Sequence, residues 1–255
     1  MIRFLLLVLF VMAPTFARAG EEVVLGLSKD KVAITTSFNG SEILIFGAVK
    51  RESPIPETPL HVVITVAGPD HPVVVRRKEK WLGLIWVNHD AVEIDAAPSF
   101  YAVATSAPMK DVLSDAENLR QRISIGHAIR SPDAPPDVKD SASFTKAVIR
   151  IRQKAGLYQL LEGQVALDQQ TLFRTAIKMP SDLTEGDYTT RIYLTRDAKI
   201  ISTYETSIDV RKVGLERWLF TLSRQQPMLY GLMSLAIAIA AGWGASAAFR
   251  LARRD

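Results

Sequence analysis

Cysteine is absent from the 255-residue chain, which excludes disulfides, thiolate catalysis, iron–sulfur clusters and cysteine-type zinc sites. Histidine is scarce: His61, His71, His89 and His127 are the only imidazoles. None lies three to five residues from another or within an HxH or HExxH pattern, so a metal site built from His61, His71 and a carboxylate such as Asp70 would require the fold to converge them. No metal or other cofactor is therefore assigned. The chain also lacks a GxSxG elbow and a glycine-rich phosphate loop. Ser143-Phe144-Thr145-Lys146 matches Ser-x-x-Lys by spacing alone, without the companion Ser-Asp-Asn or Lys-Thr-Gly. The expectation is a protein that is not an enzyme.

An excess of one charge is missing too, once the ends are set aside. Taking Arg3 and Arg18 with a leader, and Arg250, Arg253, Arg254 and Asp255 with a terminal stub, reduces 31 basic and 27 acidic residues to 26 of each. A neutral remainder gives no electrostatic case for binding nucleic acid.

What the chain does have is an apolar run at each end. Phe4 to Ala13 follows Arg3, Pro14 interrupts it, and Ala17-Arg18-Ala19 places small residues where a signal peptidase reads. Met228 to Phe249 has only Ser234 and Ser246 as polar side chains. At about 1.5 Å per residue it crosses a hydrocarbon core of about 30 Å. The expected organisation is a signal peptide at 1–19, a β-sandwich region at 20–107, a helical insertion at 108–162, closing strands at 163–212, a juxtamembrane amphipathic helix at 213–226, a transmembrane helix at 227–249 and a stub at 250–255. Flanking charge does not decide orientation, since Arg211, Lys212, Arg217 and Arg224 oppose three arginines beyond the helix. The leader decides it: the ectodomain is exported and the stub is cytoplasmic, as in a single-pass protein of a bacterial inner membrane with its ectodomain in the periplasm.

The middle reads as mainly β, an immunoglobulin-like β-sandwich interrupted by a helical pair and followed by the single membrane helix. Val32, Ile34, Thr36 and Phe38 alternate up to Asn39-Gly40, and Ile43, Ile45 and Gly47 continue, which predicts a hairpin. Strands are predicted at 60–66, 73–78, 84–88, 92–95 and 100–105, with Asn88-His89-Asp90 as a turn. From Lys110 the period changes: Val112, Leu113, Ala116, Leu119 and Ile123 predict one helix with a buried stripe. After Pro132 to Pro136, Ser143 is the expected N-cap of a second helix carrying Phe144, Ala147, Val148 and Ile151. Strands return at 165–167 and 172–177. Tyr188 to Leu194 then alternates against Ile200 to Val210 across Arg196-Asp197-Ala198-Lys199, and Gly186 before an inward Tyr188 resembles immunoglobulin-like domains.

Three groups of residues are candidates for function. Trp86, Asn88, His89 and Asp90 form a candidate interaction tip at the end of a hairpin, weighed against Trp86 filling core and Asn88-His89-Asp90 making the turn. Trp218 and Tyr230 fall where an aromatic belt anchors a helix at the lipid interface. In the membrane helix, Ser234, Ala238, Gly242 and Ser246 recur every fourth residue beside Ala236, Ala240, Gly244 and Ala248, so helix faces can approach closely.

The run Val74-Val75-Arg76-Arg77-Lys78-Glu79-Lys80, then Gly83-Leu84-Ile85-Trp86-Val87-Asn88 and Pro98-Ser99-Phe100-Tyr101-Ala102-Val103, with Leu25-Gly26-Leu27-Ser28 and Lys212-Val213-Gly214, resembles the alphaproteobacterial putative transmembrane proteins. That family comprises exported, singly anchored proteins of unknown function. The resemblance covers nearly the whole mature chain, carries no catalytic residues, and implies a tendency to be encoded beside a sulfite-exporter-type permease. The expected function is a non-enzymatic, membrane-anchored periplasmic accessory or interaction protein. Its partner is a membrane protein such as that permease, or a second copy through the membrane helix, with the lipid bilayer as surroundings. The alternative is a tethered periplasmic module that binds a ligand or metal.

Overall fold

A computed structural model of the chain describes residues 21–35, 38–81, 84–130, 140–213 and 215–252. The expected signal peptide and the last residues of the stub lie outside the described residues. The molecule is mainly β, with one long apolar helix at its C-terminus.

Two sheets enclose one core. The first has β1 (Glu22–Leu27), β3 (Ser41–Lys50), β10 (Leu172–Met179) and β9 (Ala166–Asp168) in the order β1-β3-β10-β9. The second has β2 (Lys31–Ile34), β12 (Lys199–Lys212), β11 (Gly186–Arg196), β4 (His61–Ala67), β7 (Tyr101–Thr105) and β8 (Tyr158–Leu161) in the order β2-β12-β11-β4-β7-β8. Strands from both halves of the chain share each sheet, because β10 pairs with β3 and β11 with β4. Inward side chains follow the two-residue strand period. Ile43, Ile45, Phe173 and Ile177 from the first sheet meet Val62, Ile64, Tyr188, Ile192 and Ile208 from the second, all nearly inaccessible.

The outer face of the second sheet is also covered, which is why β4 reads His-Val-Val-Ile-Thr-Val-Ala without polar alternation: both of its faces are buried. Val63, Tyr101, Val103 and Tyr193 on that face pack against Val112, Leu113, Ile123, Ile125 and Val148 of the helical segment. They pack as well against Ile94 and Ala97 of a separate two-stranded ribbon, β5 (Asp70–Trp81) with β6 (Ile85–Pro98).

Several expectations change. The Asn39-Gly40 hairpin does not form: β2 pairs parallel with β12, whereas β3 pairs with β1 and β10, so Asn39-Gly40 lies in a crossover between sheets. Six residues separate Ile34 from Ser41, too many for the two-residue turn that makes Asn-Gly a hairpin signal. Gly40 instead takes a left-handed φ of 101°, with the carbonyl oxygen of Met179 where a Cβ would stand.

The single helix expected from Lys110 is three short ones, α1 (Met109–Val112), α2 (Asp115–Gln121) and α3 (Ile125–Ala128). Leu113 is extended, Ser114 caps α2 by accepting from the Glu117 N–H, and Arg122 is left-handed, so the chain restarts twice to keep Val112, Leu113 and Ile123 on the sheet. The N-cap of α4 (Ser141–Lys154) is Asp140 rather than Ser143; its carboxylate accepts the Ser143 N–H at 3.2 Å. Phe144 and Val148 are buried as expected, but Ile151 is exposed. The closing hairpin forms at the expected turn, with Asp197 and Ala198 both at positive φ between paired Arg196 and Lys199, and a register shift between Leu194 and Thr195 sets Tyr188 opposite Ile208.

Candidate functional site

The ribbon positions the candidate tip, and its base is clasped to the body at Arg77. The Arg77 guanidinium donates to Ser143 Oγ at 2.6 Å, lies 4.6 Å above the Phe144 ring, and stands within 4 Å of Asp90 and Asp140. Beyond that point the pairing continues to Trp81 opposite Ile85, far past the length needed to cover the sheet. Asn88, His89 and Asp90 are therefore not the turn. They lie within β6, where the register shift between Arg77 and Lys78 leaves His89 in a bulge, and the strand pairing runs on past them to Trp81 and Ile85. Trp86 is next to that distal end of the pairing and is 61% exposed, so it does not fill core. The tip is broader than the sequence suggested: Leu84 is 85% exposed, Ile85 57% and Val87 37%. The signal that could have found them is the apolar run from Leu84 to Val87, which breaks the polar alternation of an amphipathic strand.

Register places the side chains on two faces. Arg76, Lys78 and Lys80 share one face with Trp86, which pairs directly with Lys80, whose Nζ is 5.3 Å from the Trp86 ring. Val73, Val75, Arg77 and Glu79 share the other with Ile94, Val92, Asp90, Val87 and Ile85. The inner half of that second face is buried, and the distal half is open.

The membrane end has two helices. α5 (Leu215–Gln225) exposes Trp218, and Pro227 opens α6 (Pro227–Ala252), where a missing N–H costs nothing. Pro227 to Ser246 has a mean hydropathy of 1.6, and none of it is buried inside the protein. Tyr230, expected at the interface, is in the first turns of α6, and its carbonyl accepts from Ser234 Oγ at 2.9 Å. Ser234, Ala238, Gly242 and Ser246 lie along the exposed helix. Gly242 has open space where a Cβ would stand.

Two further features escaped the sequence. The outer face of the four-stranded sheet carries an apolar cleft of about 440 Å³, lined by Val24, Gly26, Phe46 and Leu172 among others. At the end of the sandwich, Glu21 joins Arg51 and Arg196, with side chains only 7–9% exposed. Arg196 holds both carboxylate oxygens, at 2.8 and 3.1 Å, and also donates to the Thr58 carbonyl; Arg51 donates to the carboxylate and to the Gln170 carbonyl. Burial opposes the charge on Glu21, but hydrogen bonds and attraction from Arg196 and Arg51 outweigh it and hold the carboxyl below its ordinary value of 4.5. A depressed pKa contributes stability that is full above the unfolded value and lost as pH falls through the folded one. The stability gap between wild type and Glu21→Gln is thus expected to be constant near neutrality and to narrow as pH falls below 4.5, as read by urea unfolding across pH.

Among the described residues, no group of three His, Asp or Glu side chains could hold a metal ion. His61 Nδ1 is 3.4 Å from Ser106 Oγ, and His127 Nδ1 is 3.0 Å from Ser124 Oγ.

Comparison with known families places residues 22–251 on one family model, described as "Putative transmembrane protein (Alph_Pro_TM)". No curated protein matches the chain.

Proposed function

We propose, from the premise that this chain belongs to the Alph_Pro_TM family of putative transmembrane proteins, that it is a non-enzymatic accessory protein whose exported sandwich is held beside a membrane transporter. The observation that carries the reading is α6. It is a single apolar helix with no cover from its own protein, and its Ser234, Ala238, Gly242 and Ser246 leave room for another helix backbone to approach. Lipid alone gives no reason for such a face, whereas close helix packing in a bilayer depends on it. The partner proposed is a polytopic permease of the sulfite-exporter type, the ectodomain lying on the periplasmic side and the stub in the cytoplasm of a bacterial inner membrane.

The framework proposed for the ectodomain is immunoglobulin-like. The strand order β1-β3-β10-β9 against β12-β11-β4 supports it. So does the hydroxyl of buried Tyr188, which donates to the Thr184 carbonyl at 2.8 Å as the tyrosine corner of such domains does. Such a framework holds projecting segments rigidly, and here it displays the ribbon.

The test is affinity purification of the full-length protein from its native membrane in mild detergent, beside an Ala238→Leu, Gly242→Leu variant. The expected result is a co-purifying membrane transporter that is lost with the variant. Recovery of the same proteins with both would remove the intramembrane contact.

A further inference from the structure

We infer that the distal half of the β5-β6 ribbon is a lipid-binding wedge that enters the interface of an anionic bilayer. This goes beyond the partner reading, which concerns α6, and stands on a different part of the molecule. Successive residues of a strand point to opposite faces. Ile85 and Val87 therefore face one way and Trp86 the other, and all three are exposed, with Leu84 at the turn the most exposed of the four. An apolar tip that is wet on both faces does not match a protein groove, which covers one side of a strand. It matches a medium that is apolar all round the inserted segment.

Charge completes the match. Arg76, Lys78 and Lys80 are exposed on the face shared with Trp86, and Glu79 is the only acid between Arg76 and Asp90 along the loop of the hairpin. Long cationic side chains set behind an apolar, tryptophan-bearing tip are the arrangement of interfacial anchors. The apolar groups enter the acyl boundary and the ammonium and guanidinium groups reach the phosphates. Arg77, by contrast, is spent on Asp90, Asp140 and Ser143 and fixes the wedge to the sandwich. A chain anchored by α6 keeps this tip at high effective concentration near lipid.

The absence of cysteine gives a clean test. The full-length Leu84→Cys protein, labelled with a nitrobenzoxadiazole fluorophore, is reconstituted into vesicles of phosphatidylcholine alone or mixed with phosphatidylglycerol. Exposed Thr203 in β12, changed to Cys, serves as the control. The inference predicts a blue-shifted emission at position 84, with quenching by doxyl-labelled lipid placed either in the host membrane or in added protein-free vesicles. This should occur only with phosphatidylglycerol and not at position 203. Charge reversal by Arg76→Glu, Lys78→Glu and Lys80→Glu should weaken the transfer by about 100-fold or more. Raising the salt should weaken it in the unaltered ribbon, which keeps the test decisive if the triple variant misfolds. A label at 84 that stays in water, or one that is shielded yet unquenched by lipid in both positions, would overturn the inference, the latter result pointing to a protein contact.

Discussion

Replacing Glu21 by Ala is expected to lower the unfolding temperature of the ectodomain by about 6–20 °C. This follows from a loss of about 3–5 kcal/mol when one member of a buried ionic cluster is removed, at about 2–4 °C per kcal/mol for a domain of this size. The loss is large because two guanidinium groups remain. Arg51 and Arg196 are less than a tenth exposed, and both are aimed at the carboxylate between them. Without it they repel each other in a place that water reaches poorly. Their other acceptors, the carbonyls of Thr58 and Gln170, hold them in position and prevent escape to solvent. Glu21→Gln keeps the shape and one acceptor oxygen but not the charge, and should fall between wild type and alanine. Differential scanning calorimetry of the full-length protein in micelles checks the series. Equal melting of all three would mean that the cluster is solvated and adds nothing.

The cluster also ties the start of the folded region to its far parts. Glu21 comes directly before β1, Arg51 follows β3, Gln170 sits between β9 and β10, and Arg196 ends β11. One carboxylate near the expected leader boundary therefore pins both sheets at one end of the sandwich.

The second large effect is all-or-none. On the proposed orientation, ectodomain outside and stub inside, Thr203→Cys is expected to react fully with a membrane-impermeant maleimide in intact spheroplasts. Asp255→Cys should react only after the membrane is opened. The physical reason is that α6 is the one described helix long and apolar enough to cross, so residues before and after it lie in different compartments. The positive residues flanking it nearly balance, which makes the measurement informative. The reverse labelling pattern would invert the orientation, and labelling of both positions in intact spheroplasts would mean that α6 does not span.

How much of this was legible in the sequence depends on how local each feature is. The hairpin of β11 and β12 was readable because alternation and turn lie within one short stretch, and Tyr188 falls inward as its pattern requires. α6 was readable from composition alone. Phe144 and Val148 were found by helical spacing. The pairing of β3 with β10 joins residues more than 120 positions apart, and nothing in either strand names the other. The hairpin expected at Asn39-Gly40 failed for the same reason: β2 prefers the edge of β12, a contact no local signal reports. The break at Leu113 and Ser114 is imposed by the sheet beneath, which a helical period cannot show.

At the candidate site the same rule applies. Trp86, weighed in the sequence between a hairpin tip and the core, is exposed, and the turn was expected at Asn88-His89-Asp90 because those residues favour turns. In the structure they extend the ribbon, and the apolar residues beyond them carry the exposed tip. The Glu21 cluster left no trace in sequence, since its members are scattered over 175 positions.

The measurement that goes most directly to the partner reading is site-specific photocrosslinking in the native membrane, with a photoreactive maleimide on single cysteines in α6. Ala238→Cys and Gly242→Cys lie on the small-residue face, and Leu229→Cys and Ile237→Cys point away from its centre by helical spacing, all exposed on the helix. The account predicts a crosslink to one polytopic membrane protein from Ala238 and Gly242 and only lipid adducts from Leu229 and Ile237. Lipid adducts from all four positions would contradict it and leave α6 as a tether.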